Sequence, residues 1–231
     1  MMLFLLRSWF FSATDTGVGK TTVTAACARI LRTKGINVGI MKPYASGVAR
    51  QSGYKSEDVA ILADAAGVSD DEDLVNPYFF PIAASPYTAA AKLGISIDTD
   101  SVLAKFERLQ ASYDILLVEG IGGVLTPITK DYFVADLIKN LGLDVILVCS
   151  SRIGTINHTL LSCITCAKYG IRVRGLVINE VEKGYDLSEL QSDLLNLSGI
   201  DTVCIIPHMK NPSMFEASQI IKDSKLISIL S

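Results

Sequence analysis

Six short apolar runs recur along the chain, separated by longer stretches that carry helical spacing. The strand-length runs are Leu6–Phe11, Asn37–Met41, Ile115–Val118, Val145–Cys149, Val173–Ile178 and Val203–Ile206. They are nearly all apolar and do not alternate, as strands must be when helices cover both faces of their sheet. Helical patterns occupy Lys20–Lys34, Glu57–Ala66, Pro86–Leu93, Ser101–Ala111, Val134–Leu141, Ile156–Tyr169 and Leu187–Leu197. The alternation predicts an α/β fold: a doubly wound, mostly parallel sheet with helices on both faces. Right-handed crossovers then distribute the helices over both sides. Residues 68–99 are less regular, broken by Pro77, Pro81 and Pro86, and read as an excursion from the sheet. With 231 residues, the expectation is a single domain spanning 1–231.

Composition removes several classes. Apolar residues make up 49% and charged residues 19%, which excludes disorder. Lys plus Arg number 21 against 24 Asp plus Glu, a balance unlike that of a basic nucleic-acid binder. Five cysteines at irregular spacing suggest reduced thiols and a cytoplasmic location over a disulfide framework. Cys163 and Cys166 form a C-x-x-C within a predicted helix. With no second pair and no metal-spaced histidine, they read as core residues. Met1–Phe11 is apolar, but Arg7 interrupts it and no basic leader or cleavage site accompanies it, so it is not read as a signal peptide. It is also shorter than the roughly 20 residues a membrane span needs. Its second half reads as a buried strand and Met1–Leu6 as a leader. Asp70–Asp73 and Glu180–Lys183 read as solvated loops.

Ligands bind such sheets outside the carboxyl ends of the strands, and unusual residues cluster there. Thr14-Asp15-Thr16-Gly17-Val18-Gly19-Lys20-Thr21-Thr22 follows the first strand and opens a helix. This is a P-loop whose usual first glycine is replaced by Thr14. Gly17 and Gly19 let the backbone curl its N–H groups around an anion, and the helix adds its positive end. Lys20 supplies charge to the β- and γ-phosphates and the Thr21 hydroxyl a magnesium ligand. Lys42 follows the second strand, where it is either a solvated surface lysine or a second ammonium facing a transferring phosphoryl group. Glu119 ends the run Ile115–Val118 and is followed by Gly120, Ile121, Gly122 and Gly123, a Walker-B pattern with Glu for the commoner Asp. Asp58, just after Ser56, is equally a helix-start residue and a magnesium partner for Glu119. Near Ile156 a helix start offers N–H groups to a carboxylate, with Asn157 able to bond a polar substrate atom. Asn179 ends the fifth strand with a donor and an acceptor that match the edge of adenine.

Together these segments resemble dethiobiotin synthetases. The resemblance runs from Phe10 to about Met214. It is carried by Thr14-Asp15-Thr16, Val18-Gly19-Lys20-Thr21, Lys42-Pro43 with Ala45-Ser46-Gly47, Ser56-Glu57-Asp58, Asn76-Pro77-Tyr78, Val118-Glu119-Gly120 with Gly122-Gly123, Ile156-Asn157-His158, and Asn179. Partition and division-site ATPases, the alternative, carry a lysine where this loop has Asp15. A cobyrinate-type amide synthetase would need a glutamine-amidotransferase domain for which the chain has no room.

The resemblance implies ATP- and Mg2+-dependent conversion of 7,8-diaminopelargonic acid and CO2 or bicarbonate to dethiobiotin, through a carbamate and its phosphoric anhydride. It implies a homodimer, with neither nucleic acid nor membrane as partner. Lys20 and Lys42 would be catalytic, and Thr21, Asp58 and Glu119 would organise the metal. ATP would contact Gly17, Val18, Gly19, Lys20, Thr21, Thr22, Asp58, Glu119, Gly120, Ile121 and Gly122, with Asn179, Glu180, Pro207, His208 and Met209 around adenine. The other substrate would contact Thr16, Ser46, Gly154, Thr155 and Asn157. Many members have Gly-Thr-Asp-Thr-Glu-Val-Gly-Lys. Here Ala13 and Gly17 replace the first Gly and the Glu, so Gly17 offers only its backbone.

Overall fold

A computed structural model describes residues 7–209 and 214–231. The chain runs β1 (Arg7–Ala13), α1 (Lys20–Thr33), β2 (Val38–Met41), β3 (Tyr44–Ser46), α2 (Glu57–Ala66), α3 (Glu72–Val75) and β4 (Tyr78–Phe80). It continues through α4 (Pro86–Leu93), α5 (Thr99–Gln110), β5 (Ile115–Gly123), β6 (Pro127–Thr129), β7 (Tyr132–Phe133) and α6 (Val134–Leu141). Then come β8 (Asp144–Ser150), α7 (Thr155–Tyr169), β9 (Val173–Asn179), α8 (Leu187–Ser198), β10 (Thr202–Ile206), α9 (Met214–Lys222) and α10 (Lys225–Leu230).

Six strands form one parallel sheet in the order β10-β9-β8-β1-β5-β2. β1 is central, and Phe10 and Phe11 are fully enclosed, as are Leu117 and Val118 of β5 and Ile146, Leu147 and Val148 of β8. This burial on both faces explains why the strands read as continuous apolar runs. The expected doubly wound fold is the observed one. α1 packs between α2 and α9, while α5, α6, α7 and α8 neighbour one another in a second row.

Strand ends differ from the sequence expectation where the site begins. β1 continues past Phe11 to Ala13, while Leu6 falls outside the described residues. β5 runs on to Gly123, so Glu119 and the glycines lie within the strand and not after it. A break in the β1–β5 register between Phe11 and Ala13 marks where the P-loop departs. The irregular region contains order of its own. β3 and β4 pair in parallel as a separate two-stranded sheet, extended by the stacked rings of Tyr44, Tyr78 and Phe80.

Asp70–Asp73 is only in part a solvated loop: Asp71 and Asp73 are exposed, but Asp70 and Glu72 are engaged. Tyr113 Oη donates to Asp70 Oδ2 at 2.5 Å, Tyr54 Oη donates to the Asp70 carbonyl at 2.7 Å, and Glu72 opens α3. Of the other acidic loop, Glu180 is engaged by the His208 N–H at 2.8 Å and Ser151 Oγ donates to the Glu182 carbonyl. All five cysteines are free and buried, with Cys163 and Cys166 on α7 in the core. No described helix is long and apolar enough to cross a membrane.

Candidate active site

The first strand's end sets the phosphate loop. The Thr14 N–H is tied to the Val148 carbonyl at 3.0 Å, anchoring the loop to β8. Gly17 and Gly19 have φ of 78° and 85°, in the left-handed region that L side chains rarely adopt. Gly19 is the N-cap of α1 and Lys20 its first residue, so the free N–H groups of the first helical turn face the loop's concavity. A Cβ on Gly19 would collide with the Asn179 amide. That amide donates from Nδ2 to the Val18 carbonyl at 2.9 Å. The carbonyl can only accept, which fixes the orientation of the amide. Asn179 therefore braces the P-loop with one of its two amide N–H donors, while the second N–H and Oδ1 are left for another partner.

Lys42 sits at the tip of β2 and is only 4% exposed, so it is no solvated surface lysine. Its Nζ lies 2.5 Å from Glu119 Oε1 and 3.0 Å from Asp58 Oδ2. Glu119 is fully buried, and its Oε1 also accepts from Thr21 Oγ1 at 2.9 Å. Four residues from β1–α1, β2, α2 and β5 thus meet. Lys20, 8% exposed, borders the same group. Burial, and then the Lys42 charge, lower its pKa from 10.5 to about 8, with Glu119 and Asp58 opposing. Burial depresses the Lys42 ammonium too, but attraction to Glu119 and Asp58 outweighs it and leaves the pKa raised. Burial likewise pushes the Asp58 carboxyl up, and Lys42, with Thr21 and Lys20, overcomes this and holds it below the ordinary value. Asp58 also retains the dipole-favoured place in the first turn of α2, where Ser56 Oγ caps the Val59 N–H. Both readings of this carboxylate thus find support in the geometry.

A cleft of about 690 Å³ opens over this cluster. Of the expected residues, Thr16, Gly17, Gly19, Lys20, Thr21, Ser46, Lys42, Asp58, Ile121 and Gly122 line it. Val18, Glu119 and Gly120 lie buried beneath, and Thr22 follows on the first turn of α1. Thr126, Pro127 and Ala83–Ser85 also line the cleft; sequence reasoning missed them because they lie outside the six main strand ends. Thr126 Oγ1 accepts the Gly123 N–H at 2.9 Å and so shapes the glycine segment.

The remaining expected residues gather along the other half of the sheet. Glu180, Pro207, His208 and Met209 follow β9 and β10, joined by the Glu180–His208 contact. Gly154, with φ 96°, is the N-cap of α7. The Thr155 hydroxyl donates to the Ser150 carbonyl and its N–H to the Arg152 carbonyl, so Thr155 braces the turn and has no free donor. Asn157 is exposed one turn along. A second cavity of about 480 Å³, lined by Thr14, Asp15, Leu125, Thr126, His158 and Leu161 among others, shares Thr126 and Pro127 with the first.

Glu119 Oε2 is buried without a hydrogen-bond partner. Such an orphaned acceptor, beside the Thr21 hydroxyl and Asp58, suits a divalent cation. Among the described residues no three His, Cys, Asp or Glu side chains form an all-protein metal cage. Two carboxylates and a hydroxyl are the partial set expected when phosphates complete the shell of magnesium.

A family model described as an AAA domain matches residues 7–213. The ATP-dependent dethiobiotin synthetase BioD of Nitrosopumilus maritimus is 44% identical over 218 residues, covering 94% of this chain and 96% of the relative. The enzyme of that name from Bacillus licheniformis is 31% identical over 227 residues, covering 97% and 96%. Among solved structures, the MinD cell division protein of Aquifex aeolicus aligns with a TM-score of 0.60 at 17% identity, covering 96% of this chain and 97% of that one; this likeness is one of fold. With near-complete coverage at this identity, and with Asp15 in the loop, the chain belongs to the ATP-dependent dethiobiotin synthetase family.

Proposed function

We propose that the chain, acting as a single 1–231 domain, uses ATP to carboxylate and cyclise 7,8-diaminopelargonic acid to dethiobiotin, as an ATP-dependent C–N ligase of biotin biosynthesis. One amine adds to CO2 to give a carbamate and loses a proton. The carbamate oxygen attacks the γ-phosphorus of ATP, releasing ADP and forming a carbamic–phosphoric anhydride. The second amine then attacks the carbonyl carbon, expels phosphate and closes the cyclic urea.

The observation that carries this reading is the convergence of two ammonium groups, two carboxylates and a hydroxyl at the ends of three adjacent strands. Lys20 and the curled loop would hold the β- and γ-phosphates. Lys42, already posed on Glu119 and Asp58, would present a buried positive charge to the carbamate and the transferring group, where low surrounding polarity strengthens it. Thr21, Asp58 and Glu119 would hold Mg2+, which when bound neutralises phosphate charge. Thr16 and Ser46 line the same cleft and would orient the diamine. Asn179 supports the ATP site as a brace of the loop, with Glu180 and Pro207–Met209 beside the base. Gly154–Asn157 would frame the distal carboxylate, received on the Ile156 and Asn157 N–H groups that open α7, with Thr155 bracing the turn.

A homodimer is supported by an apolar face: Ile153 is 86% exposed, and Leu125, Leu161 and Ile164 are exposed around the start and outer side of α7. Scattered exposed residues are ordinary, but a group of this size is what a second copy covers. Five buried cysteines accord with a cytoplasmic setting.

The deciding assay measures phosphate release from ATP with diamine and bicarbonate, alongside mass detection of the ring product. Turnover independent of the diamine, without ring product, would favour the partition-type ATPase switch.

A further inference from the structure

Asn76 lies outside the cleft lining, yet its side chain reaches the backbone of Lys42. It is 3% exposed, and its Nδ2 donates to the Lys42 carbonyl at 2.6 Å and to the Tyr78 carbonyl at 3.3 Å. The Lys42 N–H donates to the Val75 carbonyl at 2.8 Å. Both backbone groups of Lys42 are therefore fixed by residues 75 and 76.

The main sheet does not do this work. Pairing of β2 with β5 ends at Met41, opposite Val118. Beyond that point the chain is handed to the small sheet: Tyr78 N–H donates to the Pro43 carbonyl, β3 pairs with β4, and the Gly47 N–H donates to Phe80. Ser46 is carried by the same sheet. Asn76 stands at the transfer, and its Oδ1 is buried with no partner. A half-satisfied buried amide is costly. Its placement is accounted for by what its donor end holds.

We infer that Asn76 is a positioning residue that fixes the Lys42 backbone so that the ammonium reaches Glu119, Asp58 and the reacting groups. This rests on the proposed function for its chemistry and on the hydrogen bonds alone for its geometry.

Asn76→Asp keeps the shape but turns a donor into a carboxylate facing two carbonyl oxygens; on protonation, the Asp regains one donor. Wild type, Asn76→Asp and Asn76→Ala are compared as the full chain. The measurements are kcat, KM for ATP, affinity for a fluorescent ATP analogue, and thermal unfolding. Both variants should lose about 30- to 100-fold in kcat, the scale of an ångström-sized misplacement. ATP KM and analogue affinity should stay within about 3-fold, because the P-loop is untouched. The kcat of Asn76→Asp relative to wild type should recover at least about fivefold between roughly pH 8 and pH 6.

A kcat within about 3-fold of wild type would overturn the inference, as would kcat and binding capacity falling together, or a flat pH ratio. If Asn76→Ala does not fold, Asn76→Asp decides; if neither folds, the role is structural and the inference fails. If wild type makes no ring product, the functional reading is what has failed. Asn76 is then judged by a crystal structure of Asn76→Asp, where Lys42 Nζ still seated on Glu119 and Asp58 would refute it.

Discussion

Removing the Lys42 side chain by Lys42→Ala tests the centre of the site twice, through stability and through turnover. The ammonium is enclosed, and it is paired at 2.5 Å with a carboxylate that is itself fully buried. Deleting one partner of a buried pair leaves an uncompensated charge and costs about 3–5 kcal/mol. Thr21 Oγ1 still donates to Glu119 and Lys20 lies nearby, which argues for the lower end. In a protein of this size each kcal/mol lowers Tm by about 2–4 °C, so the unliganded variant should melt roughly 6–12 °C below wild type. Adding Glu119→Gln should restore at least about half of that loss, because the stranded charge is gone, yet restore no turnover. The assay is thermal unfolding by circular dichroism without nucleotide, with ring product followed by mass spectrometry. A loss under about 3 °C would mean that the pair is not desolvated as described. Turnover within about tenfold of wild type would remove Lys42 from the chemistry.

Asp58→Asn should raise the magnesium concentration needed for half-maximal nucleotide binding; an unchanged titration would leave Asp58 only its favourable place in the first turn of α2. Because the folded Asp58 pKa is held below its ordinary 3.8, its contribution to stability is present above that value and lost as pH falls further. Wild type should therefore lose stability more steeply than Asp58→Asn below about pH 4. Lys20 is held at about 8 when folded against 10.5 ordinarily, so it releases its proton more readily in the folded state. Unliganded stability should accordingly gain from this group as pH rises through that window, and Lys20→Met should flatten the slope; equal slopes in chemical denaturation would refute the value. Gly19→Ala should abolish binding of a fluorescent ATP analogue while leaving a cooperative unfolding transition, since both φ and the Asn179 contact forbid a methyl; retained binding would refute the loop geometry.

The six sheet strands were legible because burial on two faces forces uninterrupted apolar runs, and the P-loop because glycine, lysine and threonine have few other reasons to stand together at a strand end. β3, β4, β6 and β7 were not legible: two or three residues cannot display a period. α9 and α10 lie at the edge of the sheet and went unread, and α3 is four residues long. Lys42 was placed correctly at its strand end, but its burial was not foreseen. That depends on Asp58 and Glu119 arriving from α2 and β5, which only the packed chain brings together. Asn179 offered two hydrogen-bonding groups to the eye, and only the fold shows that one of its amide N–H donors goes to the Val18 carbonyl. Thr155, too, offers a hydroxyl that the turn before α7 consumes.

The order β10-β9-β8-β1-β5-β2 divides labour about the middle of the sheet. Every ionisable group of the buried cluster comes from β1 rightward, through α1, β2, α2 and β5. The carboxyl ends of β8 and β9 and the turn after β8 reach the P-loop through braces such as Asn179 on Val18 and Arg152 on Asp15. If the base and the distal carboxylate lie on that flank as proposed, a lineage could retune which base or which chain length it accepts by rewriting the three loops after β8, β9 and β10. The charged machinery on the other flank would pass through such changes untouched.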